Sequence, residues 1–355
     1  WPCINGSTTG RMSIPQPRQQ EGTPEMPEIT ILNESELRRA IQLDKSAVDC
    51  IENAFRLLAT EAVEMPPILS MHIPEYNGEV DVKTAYVPGI PSFAVKMSPG
   101  FFDNPKMGLP SVNGLMVVFA AQTGLVEALL LDNGYLTDVR TAAAGAVAAK
   151  WLAREDANTA GIVGAGTQAR LQLKALTLVR KIEKALIWAR DSAKAEICAR
   201  ECADTLGIEV TATPSLDDLA ATSDIIVTTT PASEPVLTKA HLRPGQHITA
   251  MGSDAPYKGE LAPDILTAAD LYVCDRQAQC VTQGELRRAV EEGLIAANRS
   301  FPELSDVIIG ESVGRQTATD ITICDLTGMG IQDTAIAAEA VRIAASQQAG
   351  SRFIS

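Results

Sequence analysis

The segment Gly161-Ile-Val-Gly-Ala-Gly-Thr-Gln-Ala-Arg170 carries the most specific chemical pattern of the chain. Its apolar start reads as the end of a buried strand, its glycines as a tight turn, and its remainder as the start of a helix. Gly164, Gly166 and Ala169 fill the three small-residue positions of the G-x-G-x-x-G/A fingerprint. There the glycines let the backbone approach a diphosphate, and the helix N-terminus offers free N–H groups. A strand precedes the turn, a helix follows, and a second strand arrives about 20 residues on, so the context points to a bound dinucleotide. The second strand ends Ile187-Trp188-Ala189-Arg190-Asp191. Arg190 suits the 2′-phosphate of NADP and Asp191 the ribose hydroxyls of NAD, so both cofactors stay open.

Three charged residues stand at the edges of apolar elements. Lys96 lies between Val95 and Met97 in a strand, where a lysine is ordinarily on a solvated face. Arg140 opens an Ala-rich helix, where an arginine ordinarily forms an ion pair. Asp254 follows the carboxyl end of a parallel strand; a loop aspartate or helix cap is the ordinary reading, but α/β sites gather at such ends.

These residues need elements to hold them. Apolar residues recur at three and four through 34–63, giving two helices, the first capped by Asn33 or Ser35 and the second by Asp44 or Ser46. A hairpin is expected over Glu79–Val87 and Ser92–Met97 about Pro88-Gly89, then strands at Gly114–Ala121 and Val126–Leu131, and a helix at Thr137–Ala153. Beyond it strand and helix alternate. Strands are expected at 159–163, 184–189, 208–211, 224–229, 246–250 and 270–274, with helices at 167–180 and 191–205 among them. That spacing implies a parallel, right-handed β-α-β sheet. A last strand, Ile321–Cys324, leads into a helix at Asp333–Ala345, and Gln347–Ser355 reads as a loose tail.

The chain has 355 residues, 46% apolar and 21% charged, which is the balance of a soluble globular protein. The fold class is therefore α/β, with a Rossmann dinucleotide-binding domain at 151–319. A discontinuous α+β domain, 26–150 plus 320–355, makes up the remainder. Residues 1–25 are polar and read as a tag or disordered leader. A net charge of −14 and the lack of a Lys/Arg-rich run argue against nucleic acid and against an anionic membrane surface. No window approaches about 18 uninterrupted apolar residues, the length a spanning helix needs. Seven scattered cysteines suit reduced thiols in the cytoplasm. Cys198 and Cys202, one helical turn apart, have no second Cys/His pair at ligand spacing, so no metal is expected.

Several segments together resemble the ornithine cyclodeaminase/mu-crystallin family. They are Phe93-Ala-Val-Lys96, Gly108-Leu-Pro-Ser111, Leu136-Thr-Asp-Val-Arg140-Thr-Ala-Ala143, Gly164-Ala-Gly-Thr-Gln168, Met251-Gly-Ser-Asp254-Ala-Pro-Tyr-Lys258-Gly-Glu260 and Cys324-Asp-Leu-Thr-Gly328. The resemblance runs in order from about Met26 to about Ala345, and it implies that the α+β domain handles substrate and dimerisation, that the protein is a homodimer, and the following roles. Lys96 contacts the substrate carboxylate or moves a proton. Arg140 makes a forked contact to that carboxylate or to cofactor phosphate. Asp254, beside the nicotinamide, acts as general base or stabilises an iminium. Lys258 and Glu260 support them. The cofactor-binding set is Ser111, Arg140, Thr141, Gly164, Ala165, Gly166, Thr167, Gln168, Arg190, Asp191, Thr229, Met251, Gly252, Ser253 and Gly328. The implied activity is an NAD-dependent cyclodeaminase that takes ornithine or lysine to a cyclic imino acid, losing ammonia and returning its own hydride. An NAD(P)H-dependent imine reductase or amino-acid dehydrogenase is the first alternative, and a non-catalytic nucleotide and small-ligand binder the second. Two positions depart from the pattern. Ile68 stands where many members carry arginine, and Lys83 where ornithine-specific members carry a carboxylate. Lys83 thus either relocates the carboxylate anchor or marks a substrate without a distal ammonium.

Overall fold

A computed structural model describes residues 28–354, so the leader expected at 1–25 lies outside the described residues. Two seven-stranded sheets organise the chain. The first contains β1 (Glu28–Asn33), β2 (Leu69–Ile73), β3 (Gly78–Ala85), β4 (Ser92–Phe101), β5 (Leu115–Ala120), β6 (Val126–Leu131) and β14 (Ser351–Ile354), in the order β14-β1-β6-β5-β4-β3-β2. All neighbours are antiparallel except β1 and β6. The second contains β7 (Thr159–Val163), β8 (Lys184–Trp188), β9 (Glu209–Ala212), β10 (Ile225–Thr228), β11 (His247–Ala250), β12 (Leu271–Cys274) and β13 (Thr322–Asp325). Its strands are all parallel, in the order β12-β13-β11-β10-β7-β8-β9. Strand order reverses between β7 and β10, so the crevice at their carboxyl ends is the topological switch point.

Two expectations need correction. The stretch 347–355 is not simply loose, because Ser351–Ile354 pairs with β1 as an edge strand. The strand expected at Ile321–Cys324, placed with the first unit, lies in the second sheet between β11 and β12. Its uninterrupted burial is what a strand covered on both faces requires. Strands β1 and β2 were not foreseen.

Helices α1 (Glu34–Ala40) and α2 (Lys45–Thr60) start where expected. Asn33 accepts from Glu36 N in a capping box, and Asp44 accepts from Ala47 N. Helix α2 buries Val48, Ile51 and Phe55 on one stripe. Helix α3 (Tyr135–Leu152) is buried almost all round, from Leu136 through Ala142–Ala149 to Leu152. It packs on α2 on one side and on α4 (Thr167–Val179) on the other, so it ties the two sheets together. Its alanines allow that closeness. A Cβ on Gly145 would lie 2.0 Å from Gln172 Oε1 of α4. Removing a leucine-sized side chain from this spine forfeits about 1.5–3 kcal/mol of burial, before any cavity cost.

The first sheet presents two chemically different faces. Leu32, Ala85, Ala94, Met116, Val118, Ala128 and Leu130 are buried under the helices. Phe93, Val95, Met97, Val117, Phe119 and Leu129 alternate with them and are only half-buried on the other face. Two lysines interrupt the buried face. Lys83 on β3 and Lys96 on β4 are directly opposite in register, and both point toward the helices.

Candidate active site

The turn after β7 is shaped for a dinucleotide. Gly164 has φ +125°, and a Cβ there would meet Thr229 Oγ1 at 2.4 Å, so only glycine serves. Gly166 is the opposite case, because no protein atom lies within 4 Å of where its Cβ would be. The protein leaves that space open, as a diphosphate requires. The helix behind it agrees. Helices α1, α2, α5 (Ser192–Leu206) and α6 (Leu216–Thr222) are capped by the side chains of Asn33, Asp44, Asp191 and Ser215, whereas α4 has no side-chain cap among the described residues. Its first N–H groups are available to an anion. A cleft of about 790 Å³ runs from here past Trp188, Ala189, Arg190 and Asp191 to Pro235. Arg190 lines it and is exposed, while Asp191 spends an oxygen on Lys194 N as the cap of α5. The residues present fit the adenosine diphosphate half of the cofactor.

At Thr229, Thr230 and Pro231 this cleft meets a second cavity of about 300 Å³. The second cavity lies between the sheets. Lys83, Val112, Asp138, Arg140, Thr141 and Gln168 line it from one side; Met251, Gly252, Asp254, Lys258 and Gly328 line it from the other. Its floor is an ion cluster. Asp333, fully buried at the start of the C-terminal helix Gly330–Ser346, accepts from Arg140 Nε at 2.9 Å and stands 3.1 Å from Lys96 Nζ. Arg140 also donates to Gln332 Oε1 at 3.2 Å. Burial pushes the Lys96 ammonium down to about 7, with Arg140 and Lys83 adding to the effect and Asp333 opposing it. Burial works against the charge on Asp333, yet Arg140, Lys96 and Lys83 hold its carboxyl below the ordinary range.

Lys96 therefore lies behind the cavity rather than on it. It is 2% exposed and fixed to Asp333, and the structure does not bring its ammonium to the lining where a substrate contact was expected. Lys83 is the lysine of this pair that reaches the cavity. Its Nζ donates to the carbonyls of Gly328 (3.2 Å) and Thr327 (3.4 Å).

The opposite wall is the loop after β11. Asp254, with 46% of its side chain exposed, receives Lys258 Nζ at 2.6 Å. Burial acts against its charge, but the ammonium groups of Lys258 and Lys83 hold its carboxyl below the usual value. Glu260, fully buried, shapes the loop. It accepts from Thr228 Oγ1, Thr230 N and Oγ1, and Gly252 N, tying the ends of β10 and β11 together. Ser253 is buried and pins the same loop through Lys258 O and Gln283 O. It does not line either cavity, and neither do Thr167, exposed at the start of α4, or Ser111, whose carbonyl accepts from Phe101 N. Thr141, Gln168, Met251, Gly252 and Gly328 do line the smaller cavity, and Gly164, Ala165 and Gly166 the larger. Asp275 fixes the Thr327-Gly328 segment through both backbone N–H groups.

Three contributors escaped the sequence reading: Asp333, Asp138 and the Thr230-Pro231 corner. Asp138 accepts from Gln168 Nε2 at 2.9 Å, and burial raises its carboxyl. A lone acid opening an Ala-rich apolar helix was the available signal for Asp333. Cys198 and Cys202 are buried on α5 against the second sheet.

A diphosphate cradle at the switch point, joined to a small charged cavity between two sheets, defines a nucleotide-dependent enzyme. Its lineage follows from comparison with known proteins. The chain belongs to the ornithine cyclodeaminase/mu-crystallin family, whose model matches residues 28–348. It is 56% identical over 329 residues to an uncharacterised cyclodeaminase of Sinorhizobium fredii, covering 92% of this chain and 99% of the relative. The Δ1-pyrroline-2-carboxylate reductase of Thermococcus litoralis, solved with NADH and L-proline, superposes with TM-score 0.87 at 31% identity, over 92% of this chain and 100% of that one. An archaeal alanine dehydrogenase dimer with bound NAD gives TM-score 0.85 at 34% identity, over 92% and 99%. Members of this family are NAD-dependent enzymes.

Proposed function

We propose that this protein interconverts an amino acid and its 2-imine with NAD(H), acting as an imine reductase or amino-acid dehydrogenase. The observation that carries this reading is the cavity in which Asp254 and Lys258 face Lys83 and Arg140 beside the dinucleotide cleft. Bound NAD(H) supplies or accepts the hydride at the α-carbon. Arg140, oriented by Asp333, and Lys83 bind carboxylate. Asp254 stays charged and sits where it can stabilise an iminium, and Lys258 at 2.6 Å holds it there. The carboxylates lining the cavity are Asp138 and Asp254, already engaged by Gln168 and Lys258, so among the described residues none is free to receive a distal ammonium. That is why the reductase is preferred to full cyclodeamination of ornithine or lysine. The latter is the second reading, supported by the designation of the Sinorhizobium relative. We also propose a homodimer formed through the half-buried apolar face of the first sheet, as the alanine dehydrogenase relative is a dimer.

The test supplies NADH with Δ1-pyrroline-2-carboxylate or with 2-oxo acids plus ammonium, and NAD⁺ with ornithine or lysine, following NADH and ammonia. NADH consumption without ammonia release from diamines supports the reductase. Ammonia and a cyclic imino acid with no net NADH would instead establish the cyclodeaminase. Asp254→Ala should lower turnover by about 100-fold or more while NADH still binds; full turnover in this variant would remove Asp254 from the chemistry.

A further inference from the structure

We infer that Lys83 selects the substrate, and that the preferred substrate is an amino or imino acid carrying a second carboxylate. The inference rests on the imine reading above and narrows its substrate class.

Its basis is the charge balance of the cavity floor. Three cations converge there: Lys83, Lys96 and Arg140. One carboxylate, Asp333, serves Lys96 and Arg140 together. Lys83 has no carboxylate within ion-pair distance among the described residues, although it is only 6% exposed. Two carbonyls are its partners, at 3.2 and 3.4 Å. An ammonium in that position faces the cavity with no carboxylate paired to it, an arrangement that an incoming anion completes. The other acids nearby do not supply one. Asp254 is paired with Lys258. Asp138 is held by Gln168, and Asp132 accepts from Leu136 N; burial discourages ionisation of both.

Two cationic side chains from different elements border Gly328. Lys83 donates to the carbonyl of Gly328, while Arg140 lies against the α-carbon of the same residue, since a Cβ there would meet Arg140 Nη1 at 2.7 Å. A 2-imino monocarboxylate answers one of them. A dicarboxylate answers both, and its two charges match the surplus left when Asp333 is set against three cations. A diamino acid would bring its distal ammonium into a cavity already richer in cations than in free acids. Reduction of such an imine consumes one NADH and one proton, places the hydride on the imine carbon, and yields one amino dicarboxylate and NAD⁺.

Binding to the NADH-loaded protein is measured through nucleotide fluorescence, with L-aspartate, L-alanine and L-ornithine as probes. Turnover is measured with NADH, ammonium and either oxaloacetate or pyruvate. L-Aspartate should bind about 10- to 100-fold more tightly than L-alanine, the span of one charge-assisted hydrogen bond, and L-ornithine most weakly. Lys83→Met should bring aspartate and alanine within about threefold, and Lys83→Arg should restore the preference. Equal binding of aspartate and alanine by the wild type would overturn the inference, as would a preference that survives Lys83→Met. Selective aspartate binding without turnover of any imino acid would uphold Lys83 as the selector and sink the imine reading. Turnover of pyruvate with ammonium as efficient as that of oxaloacetate would do the reverse.

Discussion

The two sheets solve opposite problems with the same seven strands. In the parallel sheet, β10, β11 and β13 are buried at every position, and their polar side chains, such as Thr228 and His247, are spent on internal hydrogen bonds. What lines the cleft and cavity from that sheet comes from its strand ends, as close-fitting backbone at Gly164 and Gly252 and open backbone at Gly166. In the mixed sheet, burial alternates along each strand, so a single register position can carry a charge inward. Lys83 and Lys96 use that freedom. The dinucleotide cleft is shaped at its glycine turn by backbone, whereas the smaller cavity is lined by charged side chains that can change without disturbing a strand. Like charges directly opposite on neighbouring strands repel, so the pair is tolerable only because the C-terminal helix delivers Asp333 beneath it.

The largest effect should come from breaking that arrangement. Asp333→Ala leaves Lys96 and Arg140 buried without their shared counter-charge, and should cost about 3–5 kcal/mol of stability. Asp333→Asn, which keeps a hydrogen-bond acceptor, should cost less. Denaturant unfolding with NADH absent measures this directly. A loss below about 1 kcal/mol for the alanine variant would show that the floor is not held by Asp333.

The parallel sheet has its own buried base, and it tests the same contrast with pH. His247 at the start of β11 is fully buried between Thr322 Oγ1 (2.9 Å) and Thr249 Oγ1 (3.0 Å). Burial, with Arg315 and Arg180 nearby, pushes its pKa down to about 3. It is therefore neutral in the fold, while the unfolded chain takes up a proton near pH 6.5. Between these values the unfolded state binds more protons, so stability rises with pH and is lost as pH falls from 6.5 toward 3. The limiting slope is about 1.4 kcal/mol per pH unit, or about 2 kcal/mol lost at pH 5. His247→Gln should flatten that part of the curve. An unchanged slope between pH 5 and 6.5 would mean that His247 is already protonated in the fold.

How much was legible in the sequence follows the same division. The parallel sheet announced itself, because continuous apolar runs bounded by turns are hard to mistake, and Thr159–Val163 lies where the pattern put it. Strands β2 and β14 did not, since both are edge strands with almost no buried position and hence no alternation to read. The glycine turn was visible as a local motif. The ion cluster was not, because Arg140 and Asp333 are 193 positions apart and their meeting depends on α3 packing against the C-terminal helix. The pattern around Lys96 read as a solvated face, and only the family resemblance implied a substrate contact there. Only the placement of Asp333 shows that Lys96 faces the floor and Lys83 the cavity.

The smallest predicted effect concerns the seam between the two sheets. Tyr257 Oη donates to Glu79 Oε2 at 2.9 Å, linking the loop of Asp254 and Lys258 to β3, the strand of Lys83. Burial, with Glu79 and Asp254 adding to it, raises the phenol to about 12, so it stays a donor at neutral pH. The bond is exposed, and Tyr257→Phe should cost no more than about 1 kcal/mol of stability. Its consequence should show instead in catalysis, because the two walls of the cavity come from different sheets and this contact sets their spacing. A two- to fivefold fall in kcat/KM with unchanged NADH affinity is expected, corresponding to about 0.4–1 kcal/mol at the transition state. A drop in NADH affinity of similar size would show that the contact supports the whole interface. No change in kcat/KM would show that α3 alone fixes the distance between the backbone-built cofactor site and the side-chain-built substrate site.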